Sequence, residues 1–165
     1  MQKQIEKKMS VINEAKLQNL LDKVEINDLV TRFTRALDIQ NWDMFRSCFV
    51  DEIELDFEDS TGQPATTKKT EDFVAFGRSS LKGLKTQHHS FNHEITFDKD
   101  RAVCISSIFV MHHCPNSYGE NLFNMHGYYT MSLVRSPEGW KIQKLKQSLT
   151  WCEGNPTLLP VNLSF

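Results

Sequence analysis

The sequence predicts an α+β domain in which helices come first and an antiparallel sheet follows. Apolar residues recur at helical spacing between residues 25 and 49, and from about residue 86 four long segments of strand character are separated by short polar turns. Neither a glycine-rich phosphate loop nor a dinucleotide fingerprint is present, so alternating βαβ units are not expected. At 165 residues the chain fits one buried core and is short for two.

The elements follow in order. Residues 1–9 are polar, lack a hydrophobic period and read as a tail; residues 10–155 read as the domain, and residues 156–165 as a C-terminal tail. From Glu25 onward, Ile26, Leu29, Val30, Phe33 and Leu37 form one apolar helical stripe. Asn41 stands where an N-cap belongs, and Trp42, Phe45, Cys48 and Phe49 continue as a second short helix. The period then changes to two, with Ile53, Leu55 and Phe57 alternating with acidic residues. Asp59 to Thr70, carrying Gly62 and Pro64, reads as a polar loop, and Phe73, Val74, Gly77 and Leu81 as a further short helix. Four strands are expected near Thr86 to Phe97, Arg101 to His113, Asn121 to Arg135 and Trp140 to Trp151.

With 19 Lys plus Arg against 21 Asp plus Glu, the net charge of −2 provides no general attraction to polyanions, so neither nucleic acid nor a membrane surface is an expected partner. Cys48, Cys104, Cys114 and Cys152 lie far apart without a CxxC pair, and the first residues lack the apolar core of a secretory signal. A reducing, cytoplasmic setting is the expectation.

Asp38 closes the first helical stripe, where a carboxylate opposes the negative end of the helix dipole by several tenths of a kcal/mol. That position needs a compensating donor or is simply solvated. Of the six histidines, His88, His89, His93, His112 and His113 fall on expected strands. His89 with His93, or His88 with His112, could meet on one face, but no HExxH or Cys/His cluster supports a metal site. Alternation places His89, Phe91, His93, Ile95 and Phe97 on the more apolar face and His88 on the other, unless a bulge intervenes. Tyr128 and Tyr129 point to opposite faces, so one of them can offer a phenol to a pocket.

Three segments, in order, resemble SnoaL-like domains of the nuclear transport factor 2-like superfamily, which include scytalone dehydratase and bile-acid 7α-dehydratase relatives. The first runs from Ile26-Asn27-Asp28 to Asp38 and Trp42-Asp43. The second is Thr86-Gln87-His88 with Asn92 and Asp100-Arg101-Ala102. The third spans Gly127-Tyr128-Tyr129, Gly139-Trp140 and Trp151-Cys152-Glu153-Gly154-Asn155. The resemblance implies a cone: a strongly curved, mostly antiparallel sheet wrapped around the N-terminal helices and enclosing one pocket.

The same resemblance implies a cofactor-independent lyase or isomerase of dehydratase type, acting on a cyclic or polycyclic carbonyl compound without metal or organic cofactor. Asp38 would orient His88 as general base, and His112, with His113 as its alternate, or a Tyr would stabilise the enolate or assist the departing hydroxide. Phe33, Trp42, Asn92, Tyr129 and Trp151 would contact a hydrophobic substrate, and a homodimer or other homo-oligomer is expected. Phe33 departs from the pattern, because related dehydratases often carry there a Tyr that polarises the carbonyl. A non-catalytic small-molecule-binding protein, or an accessory subunit resembling the small subunit of aromatic-ring dioxygenases, are the alternatives.

Overall fold

The computed structural model describes residues 2–159, with side chains from residue 13 onward. Residue 1 and residues 160–165, which belong to the two expected tails, lie outside the described residues. Helix α1 spans Gln2–Asp38, so helical backbone begins well ahead of the stripe at Ile26. No Gly or Pro interrupts this span, and it is rich in Gln, Lys, Glu and Leu, which lose little freedom in a helix. The apolar period marks where the helix is buried, not where it begins. Ile26, Leu29, Val30, Phe33 and Leu37 are all under a tenth exposed, whereas Leu17, Leu20, Leu21 and Val24 remain about half exposed. Each fully buried side chain of that stripe is worth roughly 2 kcal/mol in transfer free energy.

Helix α2 is Trp42–Arg46, shorter than its apolar spacing suggests because Phe49 turns away to open strand β1. Its expected cap is present: the Asn41 side chain accepts the Met44 N–H at 3.0 Å. Strand β1 is Phe49–Asp56, and the segment expected as a loop contains helix α3 (Glu58–Thr61) and strand β2 (Thr66–Lys69). All four β2 residues are exposed, so no apolar alternation betrays that strand. Helix α4 (Thr70–Ser80) follows, then β3 (Lys85–Asp98), β4 (Arg101–His113), β5 (Leu122–Ser136), β6 (Gly139–Gly154) and a 3-10 turn at Pro156–Leu158.

The six strands form one curved, open sheet in the order β2-β1-β6-β5-β4-β3. Every pairing is antiparallel except β1 with β6, which is parallel. Helix α1 packs across β3 and β6. An aromatic cluster of Phe33, Phe45, Phe49 and Phe73, with ring centroids 5.0–5.9 Å apart, fills the space among α1, α2, α4 and β1. A polar clamp fixes the other side of α1. Asp22, only 3% exposed, accepts hydrogen bonds from Arg135 at 2.6 Å, Gln18 at 3.1 Å and the Trp140 indole at 3.3 Å. Burial alone would raise the Asp22 carboxyl, but these donors hold it below its ordinary value.

Candidate active site

The end of α1 positions the first functional group. The Asn41 N–H bonds to Ala36 O and the Gln40 N–H to Leu37 O, which closes the helix with a left-handed residue, Gln40 at φ 52°. The side chain of Gln40 donates to Leu81 O at 3.0 Å and Leu84 O at 3.2 Å, tying the helix end to the segment that leads into β3. Asp38 is therefore held at a defined place beside Thr86 and His88.

One Asp38 oxygen, Oδ1, accepts from Thr86 Oγ1 at 3.0 Å and from the His88 N–H at 3.0 Å, and it lies 2.7 Å from His88 Nδ1. Burial would raise the Asp38 carboxyl, but the His88 ring, the His88 backbone and the Thr86 hydroxyl together hold it below its ordinary value. An ionised Asp38 cannot donate, so Nδ1 of His88 carries a proton, and in the neutral ring Nε2 is the acceptor. His88 lines a partly open cavity of about 150 Å³ between the helices and the sheet.

His88 faces inward because β3 is irregular. Thr86, His88 and Ser90 lie on its more buried side, the register against β4 shifts between Phe91 and Glu94, and His93, Ile95 and Phe97 then take over that side. At the shift Asn92 adopts φ 56°, a left-handed conformation that Asn tolerates better than most residues. Strict alternation, which grouped His89 with His93, holds only on either side of this bulge. The consequence is that both His88 and His93 point toward α1. His93 pairs through Nδ1 with Asn27 Oδ1 and lies 3.0 Å from Ser90 Oγ, and burial pushes it below its ordinary value.

On β4, His112 is 3% exposed while His113 is exposed, so His112 is the histidine that reaches the cavity. Its Nδ1 lies 3.1 Å from Phe123 O, which can only accept, so Nδ1 carries the proton. Burial, reinforced by the nearby His88, pushes the ring down to about 4. It is neutral at physiological pH, with Nε2 available as an acceptor. The two imidazoles stand edge to face with centroids 6.0 Å apart. Among the described residues, no group of three His, Cys, Asp or Glu side chains is arranged to hold a metal ion.

Phe33 and Tyr129 also line the cavity, with their rings 5.7 Å apart and nearly perpendicular. Tyr129 is 5% exposed whereas Tyr128 is 46% exposed, which settles the choice between them. Three expected contact residues lie elsewhere. Asn92 is exposed at the bulge, and Trp151 is 57% exposed and stacked on His126. Trp42 packs behind the wall, against Phe45 and where a side chain at Gly77 would begin. Sequence reasoning missed Gln147, Met125 and Leu159, which also line the cavity. Only the inward alternation of β5 and β6 could have pointed to the first two, while Leu159 falls in the segment expected as a tail.

The family model of the SnoaL-like domain matches residues 18–146. No curated protein matches the sequence. Among solved structures, the Kfla4162 protein from Kribbella flavida superimposes with a TM-score of 0.81 at 28% identity, covering 85% of this chain and 97% of that one. A candidate scytalone dehydratase from Novosphingobium aromaticivorans DSM 12444 matches with a TM-score of 0.72 at 17% identity, over 83% of this chain and 89% of its own. The hexachlorocyclohexane dehydrochlorinase LinA-type3 from Novosphingobium barchaimii LL02 gives 0.72 at 17% identity, over 86% and 94%. At such identities the last two show a shared fold. No helix among the described residues is long and apolar enough to cross a membrane.

Proposed function

The chain belongs to the SnoaL-like family, and on that premise we propose that it is a cofactor-independent lyase or isomerase that removes a proton α to the carbonyl of a cyclic compound. The observation that carries this reading is the Asp38 carboxylate, held by three donors and placed 2.7 Å from Nδ1 of a histidine whose ring lines a partly open, mostly apolar cavity. His88 Nε2 takes the α-proton, and the imidazolium so formed is stabilised by Asp38. The same proton then passes from Nε2 either to a departing hydroxyl, giving water and an alkene, or to another carbon, giving an isomer. His112 Nε2, an acceptor, would take a hydrogen bond from that hydroxyl and turn its lone pair toward His88. A candidate dehydratase and a dehydrochlorinase among the fold neighbours support elimination as the type of chemistry.

A non-catalytic binding pocket is the second reading, and Phe33 favours it because an apolar ring stands where related dehydratases carry a donor. Deuterium uptake at the α-carbon of cyclic enones and hydroxy-ketones in D2O separates the two. The proposal expects uptake that falls by about two to four orders of magnitude in Asp38→Asn, the usual scale of general acid–base catalysis. Binding of such compounds with no uptake in the wild type would leave the non-catalytic reading.

A further inference from the structure

We propose that Tyr129 and Gln147 together form the carbonyl-holding corner of this cavity, and that the compound they hold carries its carbonyl on a single six-membered ring. The proposal rests on the proton-abstraction reading, since an α-proton leaves readily only when a donor meets the developing enolate oxygen. That donor must be found among the lining groups. His88 and His112 both present acceptor nitrogens to the cavity, and Ser60 and Thr61 donate their hydroxyl protons to Phe57 O, at 3.0 and 2.8 Å. Ser80, Tyr129 and Gln147 remain as polar side chains able to donate.

Tyr129 and Gln147 are directly paired across β5 and β6, and both face the cavity. The Gln147 amide stands across the strand pair from the Tyr129 phenol, and with its NH2 turned to the phenol oxygen it leaves the phenol's own proton for a ligand. Burial pushes the phenol well above its ordinary value, which keeps it protonated at any working pH. Its ring meets Phe33 edge-on at 5.7 Å, so the phenol serves the same region of the cavity that a donor at position 33 would have served. The ring size follows from volume: about 150 Å³ matches the engineered apolar cavities of roughly 150 Å³ that take up one benzene.

The test is the carbonyl stretch of bound, carbonyl-13C-labelled cyclohex-2-enone, read by infrared difference spectroscopy. In the wild type it should lie at lower wavenumber than in hexane. It should return toward the hexane value in Tyr129→Phe, move part of the way in Gln147→Leu, and stay at the wild-type position in Ser80→Ala and Asp38→Asn. If Tyr129→Phe does not fold, incorporation of 3-fluorotyrosine, a more acidic phenol, should push the stretch lower still. An unshifted stretch in folded Tyr129→Phe, a reversal in Ser80→Ala, or failure to bind cyclohexenone, whether or not the two-ring 2-tetralone binds, would overturn the proposal. A shifted stretch without deuterium uptake would sink the proton-abstraction reading alone, and uptake that survives Tyr129→Phe would sink this one alone.

Discussion

At the scale of single residues, the site is a set of groups whose protonation states are fixed by what surrounds them. His112 is the clearest case, because burial lowers it to about 4 from an unfolded value near 6.5. Between those values the unfolded chain binds a proton that the folded chain refuses, so stability is full above about pH 6.5 and falls as the pH drops toward 4. At about 1.4 kcal/mol per pH unit, the loss is on the order of 3 kcal/mol, and half-buried His93 adds to it in the same direction. Asp38 acts lower on the scale: its depressed carboxyl stabilises above the unfolded value near 3.9 and loses that contribution only as the pH falls further. Urea unfolding between pH 7 and 4 should show the first slope, and His112→Gln should flatten most of it. A wild-type stability constant over that range would contradict this account. Of these residues, Asp38 was legible as an awkwardly placed helix-end carboxylate. The tautomer of His112 was not, because it depends on a carbonyl eleven residues away in sequence.

At the scale of elements, the largest difference between sequence and structure lies in one strand. Alternation on β3 cannot be followed through Asn92, because the bulge there adds a residue and exchanges the faces. A polar residue tolerant of left-handed backbone inside an alternating run was the available signal. The bulge also explains why Asn92, expected at the substrate, is exposed: its role is conformational. Asn92→Gly should therefore be nearly neutral in chemical denaturation, while Asn92→Val should cost about 1–3 kcal/mol, the usual cost of forcing such a backbone on a branched side chain. Equal stability of the two variants would show that the bulge is not set at this residue. The β5–β6 pair carries a comparable device at Gly127, where a Cβ would stand 1.9 Å from Ser148 O. Strands β3 to β6 were legible to within about three residues at either end, because β4 and β5 bury one face along most of their length, β6 buries one over its first half and β3 half-buries one on either side of its bulge. Helix α3 and strand β2 were not, since a four-residue helix among polar residues and a fully exposed edge strand leave no period to read.

At the scale of the whole molecule, the sheet has two unlike faces. The inner face meets the helices and the cavity, while the outer one carries a ladder of stacked rings, His89, Phe109, His126 and Trp151, one from each of four neighbouring strands. Phe91, Ile105 and Tyr128 are also 40–46% exposed. A face this aromatic is expected to be covered by a second copy of the chain. Light scattering should give twice the chain mass, and Trp151→Asp should shift it toward the monomer; a wild-type monomer at every concentration would contradict that expectation. The N-terminal helices and the curved sheet, with Asp38 brought to His88 across fifty residues of chain, converge on one claim, that the two act as a unit. Deuterium uptake into a bound cyclic enone, compared among wild type, Asp38→Asn, His88→Ala and the double variant, tests it most directly. The account predicts that each single variant loses two to four orders of magnitude, roughly, and that the double variant is little worse than either. Losses that simply add, or uptake that survives His88→Ala, would contradict it.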